Sequence, residues 1–429
     1  MAIQLLQTSS LAEQDRACIW HPFTQMKTAP LPIPIVRAKG PYLYAEDGTR
    51  YLDAISSWWV NLHGHAHPYI ARKIAQQAGV LEHVIFADFT HEGAIKLASR
   101  LLAILPGTMS KIFYSDNGST AVEIAVKMAI QYWHNQQIPK TKVVCFKNSF
   151  HGETFGAMSV ASRNEFSRPF WKHLFETEAI DLPTPGHEEA SVAQLRSILE
   201  KGDIACFIFE PLVLGAGGMI VYSAHALDRL IRCCKEYQVL TIADEVMTGF
   251  GRTGTLFACD QLHETVDLIC LSKGLTGGFL PLGATACTEQ IFNAFLGDHL
   301  KQAFLHGHSY TANPLSCCSA LASLDLLLME SCAIQRKSIE TSHQAFCKLW
   351  QHHPKLKRCE VIGTILVLEY LTETHSYFDS IRERLYRFFL EKGILLRPLG
   401  NVLYVLPPYC IQPEELQFIY DQIILTLDW

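Results

Sequence analysis

Apolar and polar residues alternate over 33–55, around Lys39-Gly40-Pro41 and Glu46-Asp47-Gly48-Thr49, a period-two pattern that predicts short antiparallel strands joined by tight turns. From Lys111 the texture changes to compact β-rich runs at Lys111–Tyr114, Val143–Phe146, Cys206–Glu210, Val239–Asp244 and Leu268–Leu271. Helix-period segments at Ala121–His134 and Ala226–Tyr237 lie between them. Strands alternating with helices predict a mostly parallel sheet covered on both faces, since a run that is apolar throughout has to be buried on both sides. After Asn313-Pro314 a long helical stretch is expected to about Gln351. A strand Val361–Tyr370, a helix Phe378–Glu391, strands Ile394–Arg397 and Val402–Val405, and a last helix from Pro413 follow. The resulting expectation is an α/β chain with a large domain over 56–314 and a smaller α+β domain over 315–429. Residues 1–55 belong with the smaller domain, and Pro183–Gly186 marks an exposed loop.

At 429 residues the chain exceeds what one core usually organises. Apolar residues make up 49% and charged ones 18%, enough for a core and for a permanent subunit interface, so an obligate oligomer is expected. The formal net charge of −6 is spread without long blocks, which argues against nucleic-acid binding. Fourteen cysteines show no CxxC repeat, and the vicinal pairs Cys233-Cys234 and Cys317-Cys318 are poor disulfide geometry. Reduced thiols, no apolar leader in residues 1–20, and a longest apolar stretch (Cys317 to Met329) broken by Ser319, Ser323 and Asp325 predict a cytoplasmic protein without membrane association.

Candidate chemistry concentrates where apolar runs end. Ile269-Cys270-Leu271-Ser272-Lys273-Gly274 delivers a lysine to a glycine turn, and burial lowers a lysine's pKa and frees its amine to attack a carbonyl. Leu240-Thr241-Ile242-Ala243-Asp244 closes with an acid that has to be paired or face a ligand. Small residues at Asn117-Gly118-Ser119-Thr120 open a helix, which suits either an anion site or an ordinary N-cap. Glu210 ends another buried strand before Gly215-Ala216-Gly217-Gly218, where a structural turn is an equal reading. Gly249-Phe250-Gly251-Arg252-Thr253-Gly254 matches the dinucleotide pattern literally, but no helical period follows it, so it reads as a tight loop. His63-Gly64-His65-Ala66-His67 and His306-Gly307-His308 lack metal-site spacing, and no metal is expected. Trp58 and Trp59 suit core packing, and Arg397 suits either a carboxylate clamp or a surface charge.

Five motifs in order, SDNGSTAVE, NSFHGETFGAMSV, ADEVMTGFGRTG, LSKGLTGG and HGHSYTANPL, resemble the class III pyridoxal-phosphate aminotransferases of fold type I. IWHPFTQM (19–26), DAISSWWVNLHGHAHP (53–68) and LRPLGNVLYVLPPY (396–409) are similar to the branch that aminates 8-amino-7-oxononanoate to 7,8-diaminononanoate in biotin synthesis. The resemblance therefore spans essentially the whole chain. It implies pyridoxal 5'-phosphate held by Lys273, Asp244 against the pyridine nitrogen, and the phosphate at Gly118 and Ser119. It also implies Phe150 and Val246 on the two ring faces, and Ser309 and Gly307 reaching in from the second subunit of a homodimer. Trp58 and Phe23 would line the substrate channel and Arg397 would meet the keto acid's carboxylate.

Where relatives that use S-adenosylmethionine as amino donor carry HPYT and GYHGDT, this chain has Phe23, Phe150 and Glu153, and Leu214 replaces a polar residue common in its loop. Two phenolic hydroxyls are missing, each worth about 0.5–1.5 kcal/mol where it bonds a donor. S-adenosylmethionine is the expected donor and lysine the alternative. Another ω-amino acid or diamine transaminase, an aminomutase, and a non-catalytic cofactor-binding scaffold are the competing readings.

Overall fold

The computed structural model describes residues 10–372 and 380–429. Three short antiparallel strands, β1 (Ile35–Lys39), β2 (Tyr42–Ala45) and β3 (Arg50–Asp53), open the fold. A seven-stranded sheet follows, built from β4 (Met109–Ser115), β5 (Lys142–Phe146), β6 (Thr177–Ile180), β7 (Ile204–Phe209), β10 (Leu240–Asp244), β11 (Leu268–Leu271) and β12 (Gly283–Thr288). A small hairpin of β8 (Val213–Leu214) and β9 (Ile220–Val221) interrupts the numbering after β7. The sheet order is β4-β12-β11-β10-β7-β5-β6, with β12 antiparallel to both of its neighbours and the other pairings parallel.

Period-two side-chain alternation divides the central strands between two cores. Ile208, Ile242 and Cys270 face the helix Gly118–Asn135, together with its Ala121, Ile124, Ala125 and Ala129. Phe207, Phe209, Ala243 and Ile269 point the other way, toward Leu227 and Ile231 of the helix Ala224–Glu236. All six residues of β7 are buried, as a strand covered on both faces requires.

C-terminal elements complete the fold. β13 (Leu356–Ile362), β14 (Ile365–Tyr370) and β16 (Val402–Val405) form an antiparallel sheet, while β15 (Ile394–Leu395) pairs in parallel with β3. Three local expectations are corrected. The strand expected over Val361–Tyr370 spans the turn of a hairpin between β13 and β14, where Gly363 turns at φ +53° against the backbone of Gly254 and a Cβ would lie 2.2 Å from the amide nitrogen. The long helix after Pro314 is two helices, Pro314–Leu327 and Glu330–Trp350, bent by 71° at an extended Met329. The strand expected to reach Arg397 stops at Leu395. The helix Ser380–Glu391 occupies most of its expected span, and Phe378 lies outside the described residues. β12 carries few β-branched residues and gave no alternation to read.

One local feature is costly. Ser56, Ser57, Trp58 and Trp59 all have positive φ (52°, 45°, 69° and 74°), a left-handed turn in which Trp59 N–H donates to Ile55 O (2.9 Å). Non-glycine residues in this conformation cost roughly 1–2 kcal/mol each, so the surroundings have to over-determine it. Asp53, fully buried, accepts hydrogen bonds from Ile55 N–H (3.2 Å) and Ser57 Oγ (2.8 Å) and contacts His65 Nε2 (2.9 Å). Ser56 Oγ donates to Leu406 O (2.8 Å). The fully buried Arg252 guanidinium donates to Trp59 O (3.3 Å), Asn61 O (3.1 Å) and Pro407 O (2.9 Å). Replacing Asp53 by Ala orphans three polar groups at once. It is expected to remove roughly 2–4 kcal/mol of stability, read as a lower thermal unfolding midpoint; an unchanged midpoint would show that the turn holds without Asp53.

Candidate active site

In open α/β sheets ligands bind in the crevice beyond the carboxyl ends of the strands. Here β10 and β11 end side by side, with β4 beyond the antiparallel β12, and these strand ends deliver Gly118, Asp244 and Lys273 to one cavity of about 480 Å³. Ser119, Phe150, Val246 and Trp59 line it as well. Lys273 adopts φ +44°, and its Nζ lies 4.6 Å from the centre of the Trp59 ring. Burial pushes the lysine's pKa below its usual range, and the Arg252 cation acts in the same direction; Asp244 and Glu210 oppose them. The balance favours the neutral, nucleophilic form of the amine.

Asp244 is buried, and one carboxylate oxygen lies 2.7 Å from His151 Nδ1 while the other accepts Val246 N–H at 3.1 Å. His151 Nε2 is buried without a hydrogen-bond partner among the described residues. A carboxylate oriented in this way can hold a proton on a ring nitrogen placed in the cavity.

Asn117 caps the helix Gly118–Asn135 by accepting Thr120 N–H at 3.0 Å, which leaves the Gly118 and Ser119 amides ahead of the first intrahelical bond. An anion is favoured there by the amides and by the helix dipole together. Close approach around this turn requires two glycines. A Cβ on Gly118 would lie 2.7 Å from Val246 Cγ1, and one on Gly152 would lie 2.2 Å from Ser119 Oγ. Ser119 Oγ accepts Glu153 N–H at 3.0 Å, tying the turn to the segment that carries Phe150. An anion site, a carboxylate for a ring nitrogen, an apolar wall and a desolvated lysine around one cavity fit pyridoxal phosphate.

A second cluster stands apart from the residues lining that cavity. The Phe23 and Trp58 rings are 5.5 Å apart, Phe166 packs against Phe23 at 6.3 Å, and the Arg397 guanidinium lies 4.9 Å over Trp58. Trp58 is 39% exposed whereas Trp59 is buried, so only the second tryptophan packs in the core. Gly307 and Ser309 lie on an exposed stretch and do not line the cavity of their own chain. Leu214 is fully buried in β8 and does not line it either. The Gly249–Gly254 loop opens no α-helix; the next element is a 3-10 turn, Ala258–Gln261. Among the described residues no group of three or more His, Cys, Asp or Glu is placed to hold a metal ion.

Residue patterns overlooked His151, Trp59 and Arg252. His151 adjoins Phe150 in NSFHGETFG, but its partner Asp244 is 93 residues away. Arg252 sits inside the misleading glycine loop, and only the fold shows it pinning the Ser56–Trp59 turn.

Lys273→Ala is expected to abolish the visible absorbance of the lysine-bound cofactor in a folded protein and to cut turnover by at least about 10²-fold; retained absorbance would reassign the lysine. Gly152→Ala, forced against Ser119, is expected to weaken cofactor binding about tenfold, measured by titrating apoenzyme, with unchanged affinity counting against this phosphate turn.

The Aminotransferase class-III family model matches residues 23–427. Adenosylmethionine-8-amino-7-oxononanoate aminotransferase of Synechococcus elongatus is 49% identical, covering 96% of this chain and 98% of that one. The same-named protein of Geobacter sulfurreducens is 39% identical, covering 96% of each. The crystal structure of the Methanocaldococcus jannaschii protein of that name superposes with a TM-score of 0.92 at 35% identity, covering 97% of this chain and 98% of that chain. An omega transaminase of Pseudomonas jessenii in complex with PMP reaches the same TM-score at 26% identity over 98% of both chains. With that breadth of match on a fold-type I scaffold, this chain belongs to the class III aminotransferases and is a pyridoxal-phosphate-dependent enzyme.

Proposed function

We propose that this enzyme aminates 8-amino-7-oxononanoate to 7,8-diaminononanoate, a step of biotin synthesis, with S-adenosylmethionine as amino donor. The observation that carries the reading is the aromatic cluster of Phe23 and Trp58 with one guanidinium, Arg397, stacked on it. A long aliphatic keto acid with a single terminal carboxylate suits apolar rings beside one cation. The relatives at 49% and 39% identity carry the name of that reaction.

Bound in the cavity, pyridoxal phosphate supplies an electron-withdrawing ring and a carbonyl carbon at which amines exchange. In this reading Lys273 would hold the cofactor and, once its amine is free, would move the proton at the donor's Cα; the same nitrogen would return a proton when the ketone is aminated. Asp244 keeps the ring nitrogen protonated. Gly118 and Ser119 hold the phosphate, and Phe150 and Val246 fix the ring plane.

A homodimer is the proposed active form, with Gly307 and Ser309 completing the partner's phosphate wall. Val80, Ile85, Phe89, Leu300, Leu305 and Tyr310 are exposed on the stretches around these residues and offer an apolar face for a second copy. The fourteen unpaired cysteines support a reducing, cytoplasmic location.

Lysine as donor is the second reading, and two observations favour it. Phe23 and Phe150 present no hydroxyl, and Glu153 adds an exposed carboxylate to a lining that also holds Asp116, Glu210 and Asp244, suited to a donor's cationic end.

Mixing holoenzyme with each donor and following loss of the lysine-bound cofactor's absorbance separates the two; bleaching by S-adenosylmethionine is expected. Adding 8-amino-7-oxononanoate should then yield 7,8-diaminononanoate by mass spectrometry, and its absence with both donors would overturn the assignment. Arg397→Gln is expected to raise KM for that ketone at least about tenfold, with an unmoved KM placing the carboxylate elsewhere.

A further inference from the structure

Glu210 follows β7 and is buried, yet among the described residues no cation lies within ion-pair distance of it. A buried carboxylate without a counter-ion is costly unless its oxygens are used. One oxygen accepts the Phe150 N–H at 2.9 Å and the other accepts the Gly215 N–H at 2.8 Å. The Glu210 backbone carbonyl accepts the buried Tyr222 hydroxyl at 2.6 Å, which anchors the residue from behind. A side chain at Gly215 would crowd the tie. A Cβ there would approach the carboxylate at 3.3 Å, Met247 Cε at 3.1 Å and Trp59 Cζ3 at 3.4 Å. One side chain therefore joins the Phe150 wall to the loop that packs beneath Trp59, the ring that faces the Lys273 amine.

The ionisable groups facing this carboxylate are His151 and Asp244 across the cavity, Lys273, and the Tyr222 hydroxyl, with Arg252 beyond Lys273. Burial, reinforced by Asp244, lifts the Glu210 carboxyl to about 7; His151 and the two amide donors oppose that rise. Near neutral pH the group therefore exchanges its proton, and ionised it favours a protonated nitrogen at Lys273.

We propose that Glu210 is a positioning residue for transamination, acting through Phe150 and Lys273: its two oxygens hold the aromatic wall against the Gly215 loop, and its charge favours protonation of the Lys273 nitrogen. The inference rests on the pyridoxal-phosphate chemistry of the family and not on which ketone or donor is used.

Two variants separate charge from tie. Glu210→Gln removes the charge and turns an amide NH₂ toward one of the two N–H donors. Glu210→Asp keeps the charge but is one methylene too short to span both amides. In each holoenzyme the lysine-bound cofactor's absorbance is titrated against pH without substrate. The donor half-reaction is then timed with S-adenosylmethionine or lysine, whichever the parent accepts. For Glu210→Gln the absorbance midpoint is expected to fall by roughly one pH unit, because the protonated nitrogen has lost a neighbouring anion. For Glu210→Asp the midpoint is expected to hold while the half-reaction slows about tenfold. An unmoved midpoint in folded Glu210→Gln, or an equal shift in both variants, overturns the role of the charge. A parental half-reaction rate in Glu210→Asp overturns the tie, and this holds even if Glu210→Gln does not retain cofactor. Since the titration needs no substrate, its failure is distinct from a failure of the ketone assignment.

Discussion

Withdrawing a lysine amine from water favours its neutral form, and at Lys273 that desolvation is only partly offset by two buried carboxylates, Asp244 and Glu210. Those carboxylates are themselves dry and need partners. Asp244 takes His151 and the Val246 amide; Glu210 takes the amides of Phe150 and Gly215. Those partners lie beyond the carboxyl ends of β5, β7 and β10, so the electrostatics of one nitrogen beyond β11 require β5, β7, β10 and β11 to stand in parallel at a common edge. The order of the sheet is thus a condition of the chemistry as well as of packing.

A second demand falls on the backbone. Trp59 can offer its ring face to Lys273, and Trp58 its own to Arg397, only because four successive residues hold positive φ. That conformation is held from three directions: by Asp53 within its own segment, by Leu406 through Ser56, and by Arg252 from the loop after β10. Strain in the turn and rigidity in its surroundings are two sides of the same arrangement. A more relaxed turn would cost less and would leave both indoles free to choose other rotamers.

Strand ends were legible because a charged residue closing an apolar run breaks the pattern locally. Lys273, Asp244 and Glu210 each do so within a few residues of sequence. Gly118-Ser119 was visible as a helix start, although its use for an anion depended on the remaining motifs. By contrast, the His151–Asp244 pair joins residues 93 apart, and nothing in either segment names the other. The left-handed turn was hidden for a different reason: Ser-Ser-Trp-Trp contains no glycine to announce positive φ, and its support comes from residues nearly two hundred and three hundred and fifty positions away. The hairpin at Gly363 was read as one strand because Val361 to Tyr370 is apolar on both sides of the turn and only the contact with Gly254 requires the reversal.

Arg252 joins the two demands. Its guanidinium fastens the strained turn through the Trp59 carbonyl, and its charge depresses the pKa of Lys273. Among the described residues it has no carboxylate within ion-pair distance; three backbone carbonyls and the face of Tyr409, 5.0 Å away, solvate it instead. A carboxylate beside Arg252 would neutralise the field that it exerts on the lysine, whereas carbonyl dipoles take up its Nη1 and Nη2 donors and leave its net charge in place. The loop that imitates a nucleotide-binding fingerprint therefore supplies a cation whose field reaches the Lys273 amine, and two of its glycines answer other neighbours: a Cβ on Gly249 would lie 2.8 Å from Glu245 O and one on Gly251 2.6 Å from the Arg336 side chain.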